Sequence, residues 1–119
     1  MINYVQPGSR LTWTNGGSAV TSGAVVVVGN LIGIATGDIG AGATGELAMD
    51  GVFTVPKVSG AVIAVGEKVM WDASAGAFDD SAASPATGDV TVCCVAWAAA
   101  GNGDTTLPVK INVGVGTVA

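Results

Sequence analysis

GAGATGELAMDGVFTVPK, residues 40–57, admits two incompatible readings. Its first six residues satisfy G-x-G-x-x-G, the pattern that lets a backbone approach a pyrophosphate in a dinucleotide-binding fold. That chemistry needs a strand before the loop and a helix after it, whose N-terminal amides hold the phosphate. The residues that follow alternate instead. Leu47, Met49, Gly51, Phe53 and Val55 fall on one face, and Ala48, Asp50, Val52 and Thr54 fall on the other, the period of a β-strand. A βαβ crossover finds no helix here. Residues 40–45 therefore read as a bend between strands, and no cofactor is expected. Pro56 denies a ladder hydrogen bond, so it ends the strand or marks a sheet edge.

The flanking sequence has the same texture. Nineteen glycines in 119 residues punctuate short apolar runs, without the G-X-Y period of collagen. Upstream, residues 25–28 are four β-branched valines, Gly29-Asn30 suits a two-residue hairpin turn, and residues 31–35 return. Downstream, residues 59–66 are ambiguous between a helical turn and a connecting strand, and read as a loop with one turn of helix. Residues 68–72 and 77–79 make a second hairpin around Ser74-Ala75-Gly76, and 79–89 is polar and turn-rich, an exposed loop. Residues 90–100 form a strand that GNGD turns round. After it, Val109, Ile111, Val113 and Val115 alternate with Lys110, Asn112, Gly114 and Gly116, the clearest strand pattern in the chain. The expected fold is all-β: a compact β-sandwich or barrel-like domain of short antiparallel strands and hairpins, one domain over residues 1–119. Residues 1–9 read as an extended arm or as an ordinary first strand plus turn.

Half of the residues are hydrophobic and 11% are charged, against an average of about 25% charged. A surface that poor in charge implies coverage by partners, since large apolar patches are otherwise exposed. The net charge is −5, there is no histidine, and Arg10, Lys57, Lys68 and Lys110 are scattered. Nucleic-acid binding requires a concentrated basic face, so that class is excluded. MINYVQPGSR lacks the basic and apolar regions of a signal peptide, and no apolar run approaches the roughly 20 residues that span a bilayer. The expectation is a soluble cytoplasmic product without a membrane partner.

Catalysis fares no better. Without histidine, Ser-His-Asp and Cys-His schemes are impossible within one chain. A Ser-Lys or carboxylate mechanism would need Lys57 or Lys68 with Asp72, Asp79 or Asp80, and their spacing recommends none. Carboxylates in Gly-rich turns, here Asp79, Asp80, Asp89 and Asp104, can gather calcium, but the 12-residue spacing of an EF-hand is missing. They read as solvated turn formers. Cys93 and Cys94 are adjacent, so in a strand they point to opposite faces and a disulfide between them is strained. They lack the further ligands of a zinc site and read as two small core or interface hydrophobes. No catalytic, cofactor-binding or metal residue is expected. Trp13, Trp71 and Trp97 lie in three strand candidates; at least two belong to the core, and one is available to a partner.

Four stretches in order, YVQPGSRLTW, VTSGAVVVVGNLIGIAT, GELAMDGVFTVPK and VGEKVMWDASAGAF, followed by the strands after GNGD, resemble the small capsid decoration (head cement) proteins of tailed bacteriophages. The resemblance implies a β-rich virion protein that binds the outside of an assembled head, with the major capsid protein as partner and a homotrimer or clustered copies as its state. It transfers no catalytic residue, and its capsid contacts are not legible as a motif. Some relatives carry a recombinase-like label, which a chain without a phosphate loop or a basic surface does not support. The alternative from another class is a small carbohydrate- or ligand-binding β-domain of a phage tail or fibre, with surface tryptophans stacking on sugars.

Overall fold

The computed structural model describes residues 3, 5 and 8–119, which build two antiparallel sheets with no helix among them. The strands are β1 (Arg10–Thr14), β2 (Val25–Val28), β3 (Leu31–Ala35), β4 (Thr44–Ala48), β5 (Val52–Pro56), β6 (Lys68–Asp72), β7 (Ala77–Asp79), β8 (Val90–Ala96), β9 (Thr106–Lys110) and β10 (Thr117–Val118). The smaller sheet has the order β1-β4-β3-β2, the larger β5-β9-β8-β6-β7 with β10 beside β8. Both hairpins read from the sequence are present, β2 pairing with β3 and β6 with β7. The expected N-terminal arm, residues 1–9, falls largely outside the described residues.

Residues 40–43 turn the chain, and Thr44 and Gly45 of the expected bend already open β4. Gly45 enters β4 with Ile39 against it: a Cβ there would lie 2.6 Å from Ile39 Cγ1, so close packing, not a phosphate, requires glycine at this position. The alternation that follows is real but misleading. It reads as one strand over 45–57, whereas β4 ends at Ala48 and β5 begins at Val52 in the other sheet. Gly51, at φ 119°, turns the chain between them. Leu47 and Met49 join a small apolar cluster with Ile39, while Val55, in the same phase, enters the main core. Period alone cannot register that change of sheet. Pro56 does end its strand, at the edge of the larger sheet.

Three further expectations are corrected. The strand read across 109–116 stops at Lys110, because Asn112 takes a left-handed conformation (φ 54°). Beyond it Val113 and Val115 are 55% and 69% exposed, although they continue the apolar alternation. The loop 59–66 contains no helical turn; its anchor is a bridge in which Ile63 and Ala100 exchange backbone hydrogen bonds of 2.8 and 2.9 Å. The strand read over 90–100 ends at Ala96.

The main core lies between the sheets and inside the larger one. Ile32, Ile34 and Ala48 reach it from the smaller sheet; Val55, Val69, Trp71, Phe78, Leu107 and Val109 reach it from the larger. The larger sheet curls until its two edges meet. Val58 N–H donates to Phe78 O at 2.8 Å, beside a parallel bridge between Lys57 and Phe78. This near-closure covers sheet edges that would otherwise be open to pairing. Of the tryptophans, Trp71 is buried in the core, Trp13 is half-buried against the small cluster, and Trp97 is exposed.

Candidate interaction surface

The residues that the sequence offers for chemistry are held apart and otherwise employed. Lys57 is buried, its Nζ donating to the carbonyls of Val58 (2.8 Å) and Asp104 (3.0 Å). Lys68 stands in solvent on β6. Asp72 caps its own turn: the Ser74 hydroxyl and then the Ala75 N–H hold its carboxyl below the ordinary carboxylate value. Asp79 and Asp80 accept N–H bonds from Asp80 and Ala82, and Asp104 accepts one from Gly101. Asp89 is buried rather than solvated, and its two oxygens take the N–H groups of Ala73 and Ala86. Each carboxylate satisfies nearby backbone donors, the ordinary work of aspartate in a turn. Glu67, unremarked in the sequence, does the same at longer range. It accepts the N–H and hydroxyl of Ser81 and the N–H of Ala64, and the Ser81 N–H above all lowers its carboxyl.

Cys93 and Cys94 overturn the expectation of opposite faces. Both are buried and their Sγ atoms lie 2.8 Å apart. The cause is local. Val92 sits at φ 69°, a conformation that a β-branched residue rarely adopts, and the β6–β8 register shifts alongside. The strict alternation of side chains is lost there, so two successive residues enter the core. The shared hydrogen bond pushes the Cys93 thiol up and the Cys94 thiol down, so it is burial that keeps reagents from both. The expected result is that a water-soluble disulfide reagent titrates neither thiol in the native protein and both in denaturant. Rapid native labelling would contradict the buried pair.

What the outer surface offers is apolar side chains and a few ordered cations. Cross-strand partners place Val52 beside Lys110, Lys110 beside Val95, and Val95 beside Lys68, one row across β5, β9, β8 and β6. Residues opposite one another in a sheet share a face. That face is the outer one, because the rows on either side, Val109–Ala96 and Cys94–Val69, are buried. Trp97, 54% exposed, lies beyond the end of β8 with Lys110 Nζ 5.4 Å from its ring centroid. At the Lys68 end is a hollow of about 150 Å³ between β6, β8 and the 79–89 loop, bordered by Met70, Asp80, Thr91 and the strained Val92. Val62 and Val65 project from the loop before β6, and Val113 and Val115 from the segment after Asn112.

A model for the phage cement protein family matches residues 5–111. The chain belongs to the phage cement protein family. The matched span runs to the end of β9 and one residue beyond, covering both hairpins and all but β10 of the larger sheet. Comparison with curated proteins found no match. A phage cement protein is a structural component of the particle, so its functional site is a contact surface.

In this cement protein the sequence exposed the low charge but not where the remaining charges gather. Lys68 and Lys110 look scattered along the chain and meet on one row only through the register of β6, β8 and β9. The signal available in advance was Trp97, one residue past an apolar strand and outside its core phase.

Proposed function

We propose that this chain is a non-enzymatic head cement protein acting as one folded unit over residues 1–119. It binds the outer surface of an assembled capsid, contacts the major capsid protein, and works as a homotrimer. Burial of apolar surface against capsid subunits and neighbouring copies holds the shell together. The observation that carries this reading is the exposed apolar surface. Val62, Val65, Val92, Trp97, Val113 and Val115 are each more than half exposed in a chain with 11% charged residues. Apolar area removed from water contributes about 25 cal/mol per Å², less the costs of association. Repeated over a lattice, modest contacts of this kind favour the assembled state by mass action. Glycan binding at a tail or fibre would instead stack sugars on Trp97, and tryptophan fluorescence unchanged by added glycans would argue against it.

The test is to mix purified protein with undecorated heads, count the copies bound, and heat the particles. Saturable binding with a higher disruption temperature is expected. Absence of both would remove the reading.

A further inference from the structure

Resting on that capsid-binding reading, we infer that the outer row Val52–Lys110–Val95–Lys68, with Trp97 at one end and the hollow at the other, docks an acidic segment of a capsid subunit flanked by apolar side chains. The chain has four Lys and Arg residues in all. Lys57 is buried against two carbonyls, and Arg10 makes an ion pair with Glu46 at 3.4 Å. The other two cations, Lys68 and Lys110, are the two that share this row, and the described ion pairs involve neither of them.

Against a net charge of −5, the row is a local positive strip on a negative molecule. Lys68 and Lys110 lie on strands either side of β8, so their Cα atoms stand about 10 Å apart, two inter-strand spacings. Two carboxylates at that separation match it. Between and beside them Val52, Val95 and Trp97 offer apolar area, and the hollow, whose wall includes the buried Met70, has room for one side chain. An aromatic anchor beside charges of one sign is the usual composition of a specific contact. Asp80 at the rim of the hollow directs the partner's carboxylates to the lysines and an apolar side chain into the hollow, and the net negative charge of the molecule disfavours other orientations. A two-fold contact would set this strip against itself, lysine facing lysine, which charge repulsion opposes, and the head-to-tail contact of a trimer is separated from capsid binding by the sedimentation measurement.

The experiment measures binding of the full chain to undecorated heads at low and high salt, alongside its self-association by sedimentation. Wild-type affinity should fall as salt rises. The double reversal Lys68→Glu/Lys110→Glu should weaken head binding about a hundredfold at low salt. Lys68→Met/Lys110→Met should lose the salt dependence while keeping part of the affinity. Trp97→Ala should weaken binding about tenfold. Lys68, Lys110 and Trp97 lie on the outer face, so unchanged thermal melting checks that the variants fold. Should the reversal fail to fold, the methionine pair carries the test. Wild type binding heads with the variants binding equally would overturn the docking face alone. Reversal that alters self-association but not head binding would assign the strip to a neighbouring copy and overturn it too. Wild type failing to bind heads would remove the cement reading beneath it.

Discussion

Replacing Asn112 with alanine is expected to lower the unfolding free energy by about 4 kcal/mol, the loss of three hydrogen bonds and of a tolerated left-handed residue. The Asn112 amide acts as a missing strand partner. Its Oδ1 accepts Ile32 N–H at 2.9 Å, and its Nδ2 donates to Ile32 O at 2.6 Å and to Met49 O at 2.9 Å. Those backbone groups need it because β4 pairs with β3 only at Ile34 and Ala35, and after Ala48 the chain leaves for the other sheet. Truncation strands one donor and two acceptors between the sheets, and each unsatisfied group costs about 1–3 kcal/mol. Glycine at the same position keeps the backbone conformation and loses the amide. It should therefore recover about 1 kcal/mol relative to alanine. Urea unfolding followed by tryptophan fluorescence measures both. A loss below about 1 kcal/mol for alanine would mean that the amide bridge does not join the sheets.

The same residue marks the limit of what the sequence revealed. Hairpins were legible where local turn chemistry and β-branched runs agree, as in Val25–Val28 with Leu31–Ala35, because their pairing is set within a few residues. Alternation was misleading where the chain changed sheets in phase, and where it left a strand in phase. Residues 45–57 keep a period of two through Gly51, and residues 109–116 keep it through Asn112, yet neither span is one strand. Apolar alternation is a necessary mark of a half-buried strand, and an exposed segment such as 113–115 can carry it equally well. The Cys93–Cys94 contact was hidden for the converse reason, a left-handed valine that no propensity predicts. The contact surface was legible as a quantity, the scarcity of charge. Its arrangement depends on register between distant strands, which no local pattern encodes.

Replacing Phe78 with alanine should cost about 4 kcal/mol, within the usual range for deleting a fully buried phenylalanine. Phe78 is the largest wholly buried side chain among the described residues, and its ring meets Trp71 edge-on at 5.0 Å between centroids. It also sits where the larger sheet closes, since its carbonyl accepts the Val58 N–H and its neighbour across the seam is Lys57. A cavity here loosens two things together: packing against Trp71, and the contact between the β5 and β7 edges. Phe78→Leu keeps most of the volume and should cost about 1.5 kcal/mol, which separates filling the core from ring-specific contact. Near-ultraviolet dichroism from Trp71 should weaken in the alanine variant at temperatures where the backbone signal persists. Hydrogen exchange at the Val58 amide should accelerate with it, because that amide bridges the seam. A domain of this size commonly has only about 5–15 kcal/mol of stability, so the alanine variant has little left to resist local opening. An exposed seam presents two unpaired strand edges, and a particle component built to meet other chains would then be expected to aggregate through them before it docks. Unchanged exchange at Val58 together with a small stability loss would show that closure depends on the backbone bridge and not on the ring.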